Sequence, residues 1–545
     1  MHRFNMFVGA SVTAVVAATA AATVVTYRTG PSSSATPYVI AADGSPVREV
    51  VSILTVGDSI GGFQLTGIPD GIGSFMEGDN VRIAINHEHT SAMNSGQHPF
   101  QSGSVSGGSS ISKWLVNPAT FEVLSGGEAM TSVQTVTNGT GGALNKFTRF
   151  CSGDIADTLA YYNTATGRGT DRRIFMCGEE SGTPGRMMAT DLSTGIGYEL
   201  TKFNAAQGAW ENGVARPMES DATVMMATSD GGSNRVFLYR GTKQSTGTPV
   251  EKAGLTNGTV NGIQVVLNGS NVATESRAYC FASAAPAVFT ARFTLAADNT
   301  AAGTTFLRPE DGAWDPMHPS DFYFATTDQM SKTSAGVAQA HASRLFRLRF
   351  DDVNNLAAGG TIEAMLDGTT AVEMLDNLCV YNTIQGGTRL LLQEDPGGHP
   401  QNAKTWMFDV ATRTLTMVLK SDPARFGDYG VAATAPFSTD EENSGVVDAR
   451  GTLGLGWFLA DMQAHYTVAS PLVEGGQLYA FFSPQLVGSC DHDLSAVLDA
   501  QINGEDIAML CLGWGSAGRT DLNGDGNTDP ADLAELLISW GECAQ

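Results

Sequence analysis

The sequence predicts an all-β body, a six-bladed β-propeller, followed by a small α-helical module. Three observations lead there: six short apolar segments that each end on an acid, a composition rich in turn formers, and a change to helical spacing after Asp491. At 545 residues the chain is too long for one ordinary core. Its 63 Gly, 20 Pro and 16% charged residues suit short strands joined by tight turns.

The six segments are RIAINHE closing at Glu88, RIFMCGE at Glu179, VMMATSD at Asp230, FYFATTD at Asp328, RLLLQED at Asp395 and LGWFLAD at Asp461. Upstream of each stands a second recurring position: Asp70, Cys151, Glu211, Glu310, Asp376 and Glu442. The offsets are 18, 28, 19, 18, 19 and 19 residues, and the one long copy carries the extra turn NTATGRGTD. Each pair reads as the two innermost strands of a blade, with NRVFLYRG, SRLFRLRF and KTWMFDV as further strands. Copies start 81, 60, 99, 66 and 66 residues apart, which predicts a propeller over residues 45–484 with looped insertions. Closure should pair a strand near Val50 with one near Gly476–Phe482, since an open ring would leave raw sheet edges.

A single acid at a strand end is ordinary turn chemistry. Six in register are not, because the first strand of every blade lines the central channel and like side chains then converge. Crowded carboxylates repel one another and stay partly protonated unless cations neutralise them, so a multi-metal site is expected.

The two ends and the charge bound the setting. His2 and Arg3 precede an uncharged, Ala-rich run from Met6 to Val25 that includes ATAAA, read as a signal peptide over residues 1–28, with an uncleaved anchor as the alternative. No other stretch could span a bilayer, so the mature chain is expected to be secreted, periplasmic or at the cell surface, without a membrane span, and monomeric. Net charge is −25, from 56 acidic against 31 basic residues, which excludes nucleic acid as a partner and favours cations. Of seven cysteines, Cys490, Cys511 and Cys543 lie in the last tenth, where an exported module would use a staple whose pairing stays open.

The ordered run PDG, NHE, Cys-Ser-Gly, GEESG, WEN, TSDGG with LYRGTK, RPEDGAWDP, TTD, DNL and QEDPG resembles the PhoX alkaline phosphatase family over roughly residues 45–480. That resemblance implies Ca2+ and Fe3+ in the channel and release of phosphate from organic phosphoesters. It implies Cys151 as a thiolate ligand and Asp70, Glu88, Glu179, Glu211, Glu310, Asp328 and Asp395 as carboxylate ligands. Arg308, whose planar fork suits a bidentate grip on phosphate, is the leading candidate to hold substrate. Asn86 and His87, beside Glu88, are candidates for hydrogen bonding to phosphate or protonating the leaving alcohol. The chain departs from the family in having Phe150 before Cys151 and a single Arg in the leader, and a Cys151–Cys177 disulfide is the alternative to a metal-bound thiolate. Neither GxSxG nor GxxxxGK[ST] occurs, in keeping with metal chemistry.

Beyond Cys490, INGEDIAMLCLGWG and TDPADLAELLISWG repeat at an offset of 26 residues. DLNGDG places Asp521, Asn523 and Asp525 at loop positions one, three and five, with Asp532 at twelve, the spacing of a calcium loop running into a helix. Residues 490–545 therefore resemble a dockerin-like calcium-binding module, which implies a cohesin-like or cell-surface partner. The first half keeps Asp499 and Asp506 but has Ser495 and Val497, so its loop is expected to be degenerate. Two other readings are a calcium-dependent lactonase-type hydrolase and a calcium-stabilised extracellular binding propeller without catalysis.

Overall fold

The computed structural model describes residues 25–545 apart from 91–92, 94–107, 135–146, 182–184, 205–206, 276–289, 299, 329–342, 371, 398, 496–497, 517, 524 and 544–545. The expected signal segment up to residue 24 and Val497 thus lie outside the described residues. Among those described, no helix is long and apolar enough to cross a membrane.

Among the described residues strands dominate, with four short helices, Pro249–Lys252, Pro423–Phe426, Gly504–Leu512 and Pro530–Ile538. Runs such as Ile83–Ala84–Ile85 and Leu390–Leu391–Leu392 are buried on both faces because neighbouring sheets stack over them. Separate apolar clusters fill the gaps. Ala84 and Ile111 meet Phe150 and Phe175, Met176 and Met187 meet Trp210 and Phe237, and Tyr323 and Ala325 meet Leu378 and Leu390.

The innermost strands are numbered β1 (Pro69–Glu77), β2 (Phe150–Asp154), β3 (Trp210–Ala215), β4 (Pro309–Trp314), β5 (Leu375–Asn382) and β6 (Glu441–Asp448). Each lies against the next and β6 returns to β1, so all six enclose one axis in a propeller-like arrangement. The sheets behind them correct the expectation of a six-bladed propeller. Strands β1, β2, β5 and β6 each begin a separate sheet of four or five strands, whereas β3 and β4 are the two ends of a single ten-stranded sheet. That sheet curls until its end strands lie side by side, forming a nearly closed barrel filled by Met226, Leu238, Phe293, Phe324 and Phe346. The cause lies in the longest interval between copies. Its inserted strand Thr290–Asp298 pairs with Thr259–Leu267 on one side and Gly360–Asp367 on the other, zipping two expected blades into one sheet. At the other end of the chain, Glu49–Thr55 pairs antiparallel with Glu474–Phe482, as closure requires, and Thr26–Thr29 adds a parallel edge strand.

The dockerin-like helical module is corrected as well. Residues 490–543 hold two nine-residue helices, a two-stranded ladder of Gln501–Ile502 with Gly541–Glu542, and a Cys490–Cys543 disulfide that leaves Cys511 free and exposed. Asp532 spends both carboxylate oxygens on backbone N–H groups of Leu522, Asn523 and Asp529, at 2.6, 3.0 and 2.7 Å. Asp521 accepts from the N–H of Asp525 and Gly526, and Asn523 from that of Asp525. In the first half Asp493 takes over the loop-closing role, accepting from Asp499 and Ala500, so that loop is tied by hydrogen bonds. Leu512 and Trp514, and their equivalents Ile538 and Trp540, stay exposed.

Where six strands crowd one axis, side chains become obstacles. A Cβ on Gly71 would lie 2.0 Å from the backbone nitrogen of Gly153, and one on Gly445 would lie 2.3 Å from the carbonyl oxygen of Asp70. We expect Gly71→Ala to cost about 1–3 kcal/mol in urea unfolding. Gly127→Ala, whose Cβ meets nothing within 4 Å, should stay within about 0.5 kcal/mol. Equal midpoints for the two variants would contradict the crowding argument.

Candidate functional site

Each inner strand carries one extra residue relative to its partner strand. The register slips between Pro69 and Ile72, Phe150 and Gly153, Trp210 and Asn212, Pro309 and Gly312, Leu375 and Leu378, and Asn443 and Val446. A β-bulge re-aims the side chain that carries it. The bulged positions are Asp70, Cys151, Glu211, Glu310 and Asp376, five of the six residues picked out by spacing, and Ser444 in β6. Two residues before the bulged position the backbone is left-handed at Ile68, Arg149, Arg308 and Met374, with φ of 52°, 51°, 57° and 49°. Their carbonyls accept the N–H of Glu88, Glu180, Thr327 and Asp395, which pins the second strand end opposite the first.

This register gathers nine ligand-type side chains. Asp70, Glu88 and Cys151 form one group; Cys151, Glu180 and Glu211 a second; Glu211, Glu310 and Asp376 a third; Asp376, Asp395 and Glu442 a fourth, with ligand atoms in each lying within 4.8 Å of one another. Shared members chain the four groups around the axis. Among the described residues, all groups of this kind lie here, and Asp521, Asp525 and Asp532 form none.

Two expected ligands are displaced by the register. Glu179 faces away, paired with Arg186 and accepting the N–H of Thr148 at 2.9 Å, and Glu180 stands in the cluster instead. Asp328 lies one residue past its register position and sits 3.6 Å from Arg344, while Thr327 donates to Glu310 at 2.7 Å. In β6 the register puts Ser444 and Gln463 where spacing had suggested Glu442 and Asp461. Glu442 still reaches the cluster from two residues upstream, accepting from Ser444 at 2.7 Å, whereas Asp461 lies fully buried behind it.

The catalytic candidates divide similarly. Arg308 is 40% exposed at the rim, with Nε and Nη2 each 3.0 Å from Asp230 and Nη2 3.1 Å from Glu310. His87 is fully buried in a structural role, its Nδ1 3.1 Å from the Gly67 carbonyl and its Nε2 2.8 Å from Ser112 Oγ. Asn86 is fully buried too and donates to the backbone carbonyl of Cys151, propping the bulge of β2. Neither side chain stands at the rim. Sequence spacing missed Arg149, which lies two residues before Cys151 as Arg308 does before Glu310. Its Nε is 2.8 Å from Glu88 and its Nη2 pairs with Glu180.

The alternative of a Cys151–Cys177 disulfide is not what the structure holds. Cys151 and Cys177 are unbonded; Cys177 packs among Phe147, Phe175 and Met188, while the Cys151 thiol donates to Glu180 at 3.1 Å. Below the cluster a polar floor crosses the axis. Ser152 donates to Glu211 at 2.7 Å, and Asn377 donates to Asp70 and to Ser152, each at 3.1 Å. Asn212 and the Leu378 N–H donate to Asp311. Beyond that floor lies a cavity of about 290 Å³ lined by all six inner strands, among them Ile72, Asp154, Val214, Trp314, Leu378 and Val446.

Burial is the main electrostatic force. It raises Asp70, Glu310, Asp376 and Glu442 well above the carboxylate range, and neighbouring carboxylates push the same way. Glu180 is pushed up to about 8 by burial and by Glu211, against the pull of Arg149. The Cys151 thiol is raised by burial and by Glu211, Glu88 and Glu180. Cations are what would hold this set ionised.

No family model and no curated protein matches the chain. Among solved structures it is similar to Pseudomonas fluorescens PhoX in complex with vanadate, a transition state analogue, at 11% identity over 78% of this chain and 90% of that one, with a TM-score of 0.45. It is also similar to a putative glycoside hydrolase from Bacteroides ovatus, at 9% identity over 66% of this chain and 90% of that one, TM-score 0.25. A putative 6-phosphogluconolactonase from Bacteroides uniformis matches at 10% over 73% and 95%, TM-score 0.26.

The raised carboxylates make a pH prediction for the cation-free protein. Below the ordinary carboxylate range folded and unfolded chains are both protonated, and these groups contribute nothing. Above it the unfolded chain ionises while the folded one stays protonated, so stability falls as pH rises, up to about 8 for Glu180. In EDTA the melting temperature should decline across that window, and added Ca2+ should restore it most at the alkaline end. A flat profile, or no recovery with any cation, would contradict the cluster's electrostatics.

Proposed function

We propose that this chain is an exported, metal-dependent phosphatase that releases phosphate from organic phosphoesters at the channel cluster. The observation that supports it is the convergence of eight carboxylates and one thiol, six from the inner strands and Glu88, Glu180 and Asp395 from just past the ends of their partner strands, beneath a rim that carries Arg308.

The donor set suits cations. Among the described residues, eight buried or half-buried acids are offset by few cationic side chains, Arg149, Arg308 and His465, an imbalance that burial makes costly. Hard carboxylate oxygens favour Ca2+, so Glu211, Glu310, Asp376, Asp395 and Glu442 would hold it. The two groups that share Cys151 add a soft thiolate and would hold Fe3+ together with Asp70, Glu88, Glu180 and Glu211. When bound, the cations supply Lewis acidity toward phosphoryl oxygens.

The chain's own residues do the rest. Arg308 presents its free edge at the rim and holds the phosphoryl group by charge-assisted hydrogen bonds. Thr327 and Ser152 orient Glu310 and Glu211, and the Asn377 amide fixes Asp70, so the cluster is set before substrate arrives. For residues 490–543 we propose attachment to a cohesin-like or cell-surface partner, supported by the repeated exposed pairs Leu512–Trp514 and Ile538–Trp540.

Metal analysis of the purified chain, combined with phosphate release from a panel of mono- and diesters, tests the proposal. Arg308→Ala should lower kcat/KM by about 100-fold with bound cations unchanged. Cys151→Ser should lose iron before calcium. If no ester releases phosphate with Ca2+ and Fe3+ both supplied, the phosphatase reading falls.

A further inference from the structure

Arg149 and Arg308 are the same device built twice. Each stands two residues before a bulged ligand, with left-handed backbone, φ 51° and 57°. They are 43% and 40% exposed, in a chain where basic residues are outnumbered 56 to 31. Each aims Nε and Nη2 at cluster-side carboxylates, Glu88 and Glu180 for Arg149, Asp230 and Glu310 for Arg308. In both, Nη1 makes no hydrogen bond among the described residues.

The backbone does not require arginine there. The equivalent positions hold Ile68 and Met374 with the same left-handed φ, and Ala209 and Glu442 in the remaining strands. An unfavourable conformation shared by such different side chains belongs to the fold, and the choice of side chain is free to serve chemistry. Glu211 lies between the two arginines, sharing one ligand group with Glu180 and another with Glu310. A tetrahedral oxyanion over Glu211 would therefore have a guanidinium on either side. Cations at Glu88 and Glu180 would also relieve Arg149 of its present partners.

We infer that Arg149 is a second phosphate-binding residue, which with Arg308 forms a two-sided guanidinium clamp over the channel cluster. The clamp rests on the phosphatase reading only for its effect on turnover, because phosphate binding is measurable on its own. The test titrates inorganic phosphate into the full chain loaded with Ca2+ and Fe3+, by calorimetry, and follows ester hydrolysis in parallel. Arg149→Ala should weaken phosphate binding by about tenfold or more and raise KM more than it lowers kcat, with cation content and melting temperature retained. Arg149→Lys should recover part of the affinity, since it restores the charge without the fork.

Unchanged phosphate affinity in Arg149→Ala overturns the assignment. So does affinity lost only in step with bound cations, which would make Arg149 a support for the ligands. A loaded wild-type chain that binds no phosphate overturns it too. A wild-type chain that binds phosphate through Arg149 but hydrolyses no ester keeps the clamp and removes the phosphatase reading.

Discussion

The structure depends on one electrostatic constraint: carboxylates from six strands are driven to a single axis where water cannot reach all of them. Burial alone would keep many of these groups protonated, and mutual repulsion adds to it. The surrounding architecture is arranged to hold them there regardless. Apolar clusters between the sheets fix the strands, the β6-to-β1 contact closes the circle, and the Ser152–Asn377 floor stops the strand ends from relaxing apart. The stability of the body and the chemistry of the channel are therefore coupled through whatever neutralises that charge.

The bulge is the local device that makes convergence possible. A regular strand sends successive side chains to opposite faces, so only alternate residues could point at the axis. One extra residue breaks that alternation, and every inner strand has one. The same slip puts Ser152, Asn212, Asp311 and Asn377 immediately below the ligands, where Ser152 and Asn377 donate to Glu211 and Asp70 and Asn212 donates to Asp311. The left-handed residue two positions earlier sets the rim, and two of its occurrences carry guanidiniums. Ligand, floor and rim are thus successive residues of one short segment used repeatedly.

Side chains that lie close to these positions in sequence take quite different roles. Glu179 and Glu180 are adjacent, yet one is buried against Arg186 and the other faces Cys151. Thr327 and Asp328 divide in the same way, as do Asn86, His87 and Glu88. In each case the alternation of strand faces makes one residue structural and its neighbour available to the channel. A histidine beside an acid looked like catalytic chemistry; burial on the Gly67 and Ser112 side makes it part of the scaffold.

The sequence by itself determined the all-β character, the six acidic strand ends, the closing strand pair and most of the cluster, because a period-two pattern and a repeated spacing survive in one dimension. Asp70, Glu88, Cys151, Glu211, Glu310 and Asp395 were all legible that way. Only the tertiary structure decided what depends on pairing register and on contacts between distant segments. It exchanged Glu179 for Glu180 and Asp328 for Thr327, brought in Arg149, and freed Cys151 from Cys177. It also merged two expected blades into one ten-stranded sheet through an inserted strand. The physical reason is common to all of these: a shift of one residue turns a side chain to the opposite face, and only the partner strand specifies that shift.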